Sequence, residues 1–362
     1  MTSPAVLAAD KPRERLLYLD LLRCLSIFAA TVLHATPSLL ESNDRSVFLP
    51  GLVYVSLCVF CVPVLLMISG ALMLTDARHV NIAAFYRKRL PKILVPLVAW
   101  SVLYYIIYCI SGSGAFNAIM FLERFFGGAW SGPLWFLHMM AALYLMVPFV
   151  RPVFGGETKK PSLIFAGIIF GAQALQISIH LTLGSDLNPF FMGTLFPFFI
   201  AFFVLGNVLC RTRRMPPGKR GVLIVLFCIS AAAVSFGEIA AKTGGSIPQS
   251  TFYTYSDPLV VLMGVCVFLF FKDWNPSRQS KRARLISWLS PLSYGIFLSH
   301  MLVQKIILIG LIPLFFRPGS GVVWLTANPL VGPLVFGVVT FTGAAFLTAA
   351  IQRVPGLRRI IP

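Results

Sequence analysis

Long apolar segments alternate with short polar or basic ones along almost the whole chain. A helix needs about 20 mostly apolar residues to cross the hydrocarbon core of a bilayer, and about ten segments approach that length. The two shortest are 134–150 and 258–272. The pattern predicts an all-α integral membrane protein with about ten transmembrane helices, at 17–40, 51–74, 93–111, 134–150, 162–180, 191–210, 221–241, 258–272, 287–312 and 329–351.

The composition and the distribution of charge agree with a membrane protein. Hydrophobic residues make up 57% of the 362 residues, and charged residues only 12%. Most of the 30 basic residues fall in segments that lie in the cytoplasm if the N-terminus is inside, and this bias sets membrane topology. We therefore expect both termini in the cytoplasm. The net charge of +18 then reflects topology and attraction to anionic membrane lipid, and not nucleic-acid binding.

The chain predicts one transmembrane domain with two short tails. Residues 1–15 form a polar N-terminal tail, residues 16–352 the transmembrane domain, and residues 353–362 a basic C-terminal tail. No cleavable signal peptide is expected, because the first apolar segment is longer than the core of a signal peptide. The outer segment 111–133 contains an aromatic-rich stretch that is typical of a helix in the membrane interface. Prolines inside the apolar segments favour kinked helices around an internal cavity.

The seven cysteines do not indicate a disulfide framework. They all lie in or beside predicted spans, where cysteine packs as a small apolar side chain. Cys58 and Cys61 have the C-x-x-C spacing, but no second thiol pair or histidine cluster accompanies them. We therefore expect no metal site. The chain also lacks the phosphate-binding loop, zinc-protease and serine-hydrolase motifs.

An arginine and a histidine stand inside the first apolar segment, at Arg23 and His34. Their spacing brings both side chains to the same face of a continuous helix, about 16 Å apart along its axis. Ionisable groups are costly within a bilayer and mark functional sites by default. This face therefore suits an anionic ligand held by the guanidinium and a proton moved by the imidazole.

Each of these residues also has a purely structural interpretation. His34 can pack between helices with its ring bonded to a carbonyl group. Asp20 precedes Arg23 by three residues, so this pair can simply orient the end of the helix. Arg87 and Arg89 form an R-x-R at the end of an inner loop, and any cytoplasmic loop can carry such charge. Composition and spacing leave both interpretations open.

Four segments of the chain resemble membrane acyltransferase family 3, whose members O-acylate bacterial surface and exported glycans. The first carries R-x10-H from Arg23 to His34, and the second is an apolar run around Ser69. The third carries the R-x-R motif, and the fourth is a Ser-Tyr-Gly segment that ends at His300. In order along the chain they read LDLLRCLSIFAATVLHA, VPVLLMISGALML, FYRKRLPKILVPLVAW and SPLSYGIFLSH.

The resemblance implies roles for several residues. It makes His34 the catalytic histidine, and it assigns three arginines to the phosphates of an acyl-CoA donor: Arg23, Arg87 and Arg89. Four further residues are candidates for supporting roles: Asp20, Ser69, Trp135 and His300. Some family members carry W-x-L-x-x-E, and Met140 stands here at the position of that glutamate. The chain is therefore similar to a single-domain subgroup, without a fused esterase-like domain.

The residues and the resemblance together predict a membrane-bound O-acyltransferase of the bacterial inner membrane. The expected reaction moves an acyl group, expected to be acetyl from acetyl-CoA, to a hydroxyl of an exopolysaccharide or lipid-linked glycan. His34 acts either as a general base or as a transiently acylated nucleophile. Succinyl-CoA is an alternative donor for the same fold. A different class also fits the physical pattern, namely a transporter or flippase for a glycolipid or organic anion.

Overall fold

The computed structural model describes residues 16–74, 81–112, 114–183, 198–213, 216–244, 252–311 and 320–361. Within these ranges the regular structure is helical, and no strand occurs. A π-helical turn at Ile306–Leu311 directly follows the helix Lys281–Lys305. The α-helices are α1 Leu17–Leu33, α2 Pro37–Leu40, α3 Arg45–Cys58, α4 Cys61–Met73, α5 Ile82–Arg89, α6 Pro91–Ile110, α7 Ala118–Gly127, α8 Trp135–Phe154, α9 Lys160–Leu183, α10 Phe198–Arg211, α11 Arg220–Gly244, α12 Pro258–Lys272, α13 Lys281–Lys305, α14 Ser320–Ala327 and α15 Gly332–Arg353.

Seven helical stretches within the described ranges are long and apolar enough to cross a membrane. Two shorter apolar helices, α10 and α12, accompany them. The predicted all-helical membrane architecture is therefore confirmed, whereas the count of about ten spans and the cytoplasmic termini stay predictions. Some predicted positions lie outside the described residues, namely 1–15, 191–197, 312 and 362. The seven stretches are Arg45–Met73, Ile82–Ile110, Gly132–Phe154, Lys160–Thr182, Arg220–Thr243, Lys281–Leu308 and Gly332–Arg353.

The first predicted span, 17–40, is not one continuous helix, and the prediction of its extent was wrong. α1 ends at Leu33, His34 forms its C-cap, and α2 begins at Pro37. Proline has no amide hydrogen to donate to the carbonyl group of Leu33. The hydroxyl of Thr36 donates to that carbonyl instead, at 2.7 Å. The helix therefore stops one turn before the proline.

Two other segments refine the predicted boundaries. The span predicted at 51–74 begins earlier, at Arg45, and a turn at Val59 and Phe60 separates α3 from α4. In the outer segment 111–133, α7 lies where the sequence predicts an interfacial helix, and its apolar side chains are largely exposed. Neither change alters the order of the helices.

α1 lies at the centre of the described bundle, packed against α4, α13 and α15. Leu19, Leu22 and Val32 on this helix are at most 2% exposed. Gly337 on α15 allows a close approach, because a Cβ there would lie 2.5 Å from the Cγ2 of Val32. The polar side chains of α1 therefore meet other helices.

α4 and α10 cross with their backbones in direct contact. A Cβ added at Gly70 would lie 1.9 Å from the carbonyl oxygen of Phe203. A Cβ added at Gly206 would lie 2.0 Å from the carbonyl oxygen of Met67. Small residues at such crossings let membrane helices gain packing energy where no side chain intervenes. The contact fixes α4, which carries Ser69.

Gly206→Ala is expected to destabilise the protein, because the added methyl group would overlap the carbonyl group of Met67. Overpacking of this kind costs about 1–3 kcal/mol. The thermal unfolding midpoint in detergent should therefore fall. Gly171→Ala on α9 is the matched control, since nothing outside its own helix lies within 4 Å of the added Cβ. The unfolding midpoint of this control should stay unchanged or rise. Equal midpoints for the two variants would contradict the close crossing of α4 and α10.

Candidate functional site

A cavity of about 570 Å³ lies between α1, α4, α8 and α13, beside the junction of α5 and α6. Its wall has a basic and polar part and an apolar part. The basic and polar part consists of Arg23, Ser69, Arg89, Lys92, Tyr144, Ser290, Ser293 and Tyr294. The apolar part includes Ile27, Leu65, Ile68, Phe136, Leu137, Met140 and Phe297.

Three cations line the basic part of the cavity: Arg23 on α1, Arg89 at the end of α5 and Lys92 at the start of α6. The side chain of Asn81 caps α5, and Pro91 opens α6 with a fixed φ that suits the first helical position. This junction brings Arg89 and Lys92 to the cavity together. Neither has a carboxylate partner among the described residues. The basic part is therefore suited to an anion.

Arg87, the other arginine of the R-x-R motif, is exposed and does not line the cavity. Two residues along a helix turn a side chain by about 200°, so Arg87 and Arg89 face different directions. The structure thus brings Arg89 to the cavity and leaves Arg87 on the outside of α5. A donor-binding role for Arg87 stays a prediction.

Arg23 is held by one residue of its own helix and one of α13. Its Nη1 lies 3.4 Å from Oδ1 of Asp20 and donates to Oγ of Ser290 at 3.2 Å. The hydroxyl of Ser290 donates to the same Oδ1 at 2.6 Å. Asp20 is buried, whereas the side chain of Arg23 is 30% exposed. The structure therefore combines both interpretations, because Arg23 is paired and also faces the cavity.

The apolar part of the cavity ends at an aromatic wall formed by Phe136 and Phe297, whose ring centroids are 5.4 Å apart. The ring centroid of Phe297 lies 5.9 Å from that of His300. His34 is not among the described residues that line the cavity. Phe297 therefore contacts both the cavity and His300.

His34 and His300 form a pair of imidazoles beside Phe297. Their ring centroids are 5.3 Å apart, and the ring planes are inclined by 37°. The amide of His34 still donates to the carbonyl of Ala30 at 3.0 Å, so His34 keeps the helical register of Arg23 although α1 ends before it. A neutral imidazole can accept and return a proton near neutral pH, so this pair can carry out acid–base chemistry.

The family model described as an acyltransferase domain, that of membrane acyltransferase family 3, matches residues 16–349. The chain belongs to this family. No curated protein and no solved structure matches it. The resemblance stated from four sequence segments is therefore confirmed, and the protein is a multi-pass membrane acyltransferase.

The other candidate residues of the acyltransferase take different positions. Ser69 lines the cavity, and its hydroxyl donates to the carbonyl of Leu65 at 3.0 Å. Met140 also lines the cavity, at the position of the family's glutamate. Trp135 does not line the cavity. Its ring stacks on that of Tyr255, with 5.5 Å between the ring centroids. Ser69 and Met140 can thus contact a molecule in the cavity, whereas Trp135 supports the packing beside it.

Sequence reasoning missed five polar residues of the acyltransferase cavity: Lys92, Tyr144, Ser290, Ser293 and Tyr294. The hydroxyl of Tyr294 donates to the carbonyl of Lys92 at 3.1 Å and joins α13 to the start of α6. Ser290 and Tyr294 lie within SPLSYGIFLSH, so the family resemblance did contain a signal for them. Lys92 lies one turn after Arg89 in the same basic segment. No motif pointed to Tyr144.

Asp20→Asn is expected to lower the free energy of unfolding of the acyltransferase by about 1.5–3 kcal/mol, because the substitution removes the charged acceptor of Arg23 and Ser290. Ser290→Ala removes only a hydroxyl and should cost about 1 kcal/mol. Thermal or denaturant unfolding in detergent measures both. An Asp20→Asn variant as stable as the unaltered protein would contradict the role of this carboxylate.

Proposed function

We propose that this acyltransferase moves an acetyl group from acetyl-CoA to a hydroxyl of an exopolysaccharide or lipid-linked glycan in the bacterial inner membrane. The observation that carries the proposal is one cavity with three cations in its wall, whose lining residue Phe297 contacts the imidazole pair of His34 and His300. The family match favours acyl transfer over transport of a glycolipid or organic anion.

The basic part of the cavity suits the phosphates of coenzyme A. Arg23, Arg89 and Lys92 offer charged donors there, and contacts between guanidinium and phosphate groups are strong and directional. Asp20 already orients Arg23, so this side chain loses little conformational freedom when an anion binds. The charge bias along the sequence predicts that this part lies near the cytoplasm, where acyl-CoA is made.

The apolar part of the cavity suits the thioester end of the donor and favours a short acyl chain. Ile27 lies one turn beyond Arg23 towards His34, and the rings of Phe136 and Phe297 close this end. A succinyl group would bring a carboxylate among these apolar side chains, which is costly without a partner. The lining therefore supports acetyl-CoA as the donor over succinyl-CoA.

His34 is the proposed general base. Its unprotonated ring nitrogen takes the proton of the acceptor hydroxyl while the hydroxyl oxygen attacks the thioester carbonyl carbon. The carbon–sulfur bond then breaks, coenzyme A leaves as a thiolate, and the imidazolium returns the proton to the sulfur. An acyl-histidine on the same nitrogen gives the same products by a second route. Because His34 does not line the described cavity, both routes require a rearrangement of side chains that brings the thioester and the imidazole together.

His34→Ala is expected to reduce kcat for acetyl transfer by about 10²–10⁴-fold, the usual contribution of a general base. Acetyl-CoA binding should persist, because His34 does not line the described cavity. Radiolabelled transfer to a glycan acceptor and calorimetric binding, both on protein in nanodiscs, measure the two quantities. A variant with near-normal kcat would remove His34 from the mechanism.

Arg89→Gln is expected to raise the KM for acetyl-CoA by about 10- to 100-fold, since a hydrogen bond to a charged group contributes about 1.5–3 kcal/mol. Arg87→Gln removes the same charge from the same helix, but at a side chain that does not line the cavity. If only the residues that line the cavity bind the donor, this variant should keep a KM close to that of the unaltered acyltransferase, whereas the predicted donor-binding role of Arg87 would raise its KM as well. Equal changes in the two variants would show that only the net charge of the loop matters.

A further inference from the structure

His300 is a buried imidazole with one bonded nitrogen and one without a partner. The residue is 1% exposed, and its Nδ1 lies 2.6 Å from the carbonyl oxygen of Phe297. A carbonyl group only accepts, so Nδ1 carries the hydrogen. In the neutral ring Nε2 is then a lone-pair acceptor, and no hydrogen bond reaches it within the described part of the chain.

An unmade hydrogen bond at a buried acceptor is expensive. An apolar side chain of similar shape would avoid this cost. Buried polar groups in native proteins nearly always have partners, and a catalytic role is one of the explanations for an exception. A donor for the Nε2 atom of His300 is therefore expected in the protein before any turnover.

His34 is the neighbour that can supply this donor. Its ring centroid lies 5.3 Å from that of His300, whereas the ring of Phe297 on the other side has no N–H or O–H group. No described residue makes a hydrogen bond to the ring of His34. Its side chain can therefore change rotamer and bring a ring N–H towards Nε2 of His300.

We infer that His300 is a positioning residue for His34, an inference that rests on the proposed function. Nε2 of His300 accepts the N–H of His34 and so fixes which nitrogen of His34 is protonated. The opposite nitrogen of His34 then presents its lone pair to the acceptor hydroxyl. His300 thus gives the base the orientation that a carboxylate gives to histidine in the Ser-His-Asp hydrolases.

Three variants separate this role from helix packing. His300→Leu removes both ring nitrogens, whereas His300→Gln keeps an acceptor near the position of Nε2. Gln304→Leu is the matched control, because Gln304 is another buried polar residue of α13 and donates to the carbonyl of Thr31 on α1 at 3.0 Å. It joins the same two helices without a hydrogen bond to His34.

We expect His300→Leu to lower kcat for acetyl transfer by about 10- to 100-fold, as for residues that orient a ligating histidine. The KM for acetyl-CoA should not change, because His300 does not line the described cavity. His300→Gln should recover most of the lost kcat, and Gln304→Leu should keep the kcat of the unaltered protein. In a His34→Ala background, His300→Leu should cause no further loss, since its effect acts through His34.

Nitrogen-15 NMR of the histidine-labelled full chain in nanodiscs gives a readout that needs no turnover. The Nε2 resonance of His300 should have the shift of a hydrogen-bonded acceptor and should move towards that of a free lone pair in His34→Ala, while Nδ1 stays constant. An Nε2 resonance that is identical in both proteins, or equal losses of kcat in His300→Leu and His300→Gln, would overturn the inference. If the unaltered protein transfers no acetyl group, the proposed function fails. The nitrogen-15 shifts still show whether His34 donates a hydrogen bond to Nε2 of His300.

Discussion

A guanidinium held among apolar helices is the constraint on which this site depends. Removing such an ion from water costs several kcal/mol unless a counter-charge and hydrogen bonds compensate. Asp20 supplies the charge and Ser290 the hydrogen bonds around Arg23. One partner lies on α1 and the other on α13. Compensating the charge of Arg23 therefore also fixes how these two helices meet, and it leaves the guanidinium facing the cavity.

The register set by this contact extends to the histidines. From Arg23 to His34 the rise along a helix is about 16 Å, and from Ser290 to His300 it is about 15 Å. Because the two distances are nearly equal, helices that meet at Arg23 and Ser290 also bring the two imidazoles together, with 5.3 Å between ring centroids. The position of Arg23 in the cavity wall and the imidazole pair are thus two consequences of one helix pairing.

The sequence predicted the parts of this arrangement that depend on local spacing. The membrane helices followed from the apolar runs, and the pairing of Asp20 with Arg23 followed from their separation of three residues. Ser290 could not be assigned to the same contact, because 267 residues separate it from Arg23. The end of α1 was predicted wrongly, although Pro37 in the sequence excludes an amide hydrogen bond to the carbonyl of Leu33. Arg89 lines the cavity and Arg87 does not because of the orientation of α5, and the spacing of the two arginines does not define that orientation.

The described parts of the predicted cytoplasmic segments contain two kinds of cation, which differ in the groups that they contact. Lys159 and Lys272 donate to carbonyl groups in the last turn of α10, each at 2.6 Å. They satisfy a helix C-terminus, so the fold itself uses their hydrogen bonds and part of their charge. Arg89 and Lys92 instead line a cavity, and neither has a carboxylate partner among the described residues. Since clustered cations repel one another, this part of the cavity favours an anion beyond those that the described residues supply.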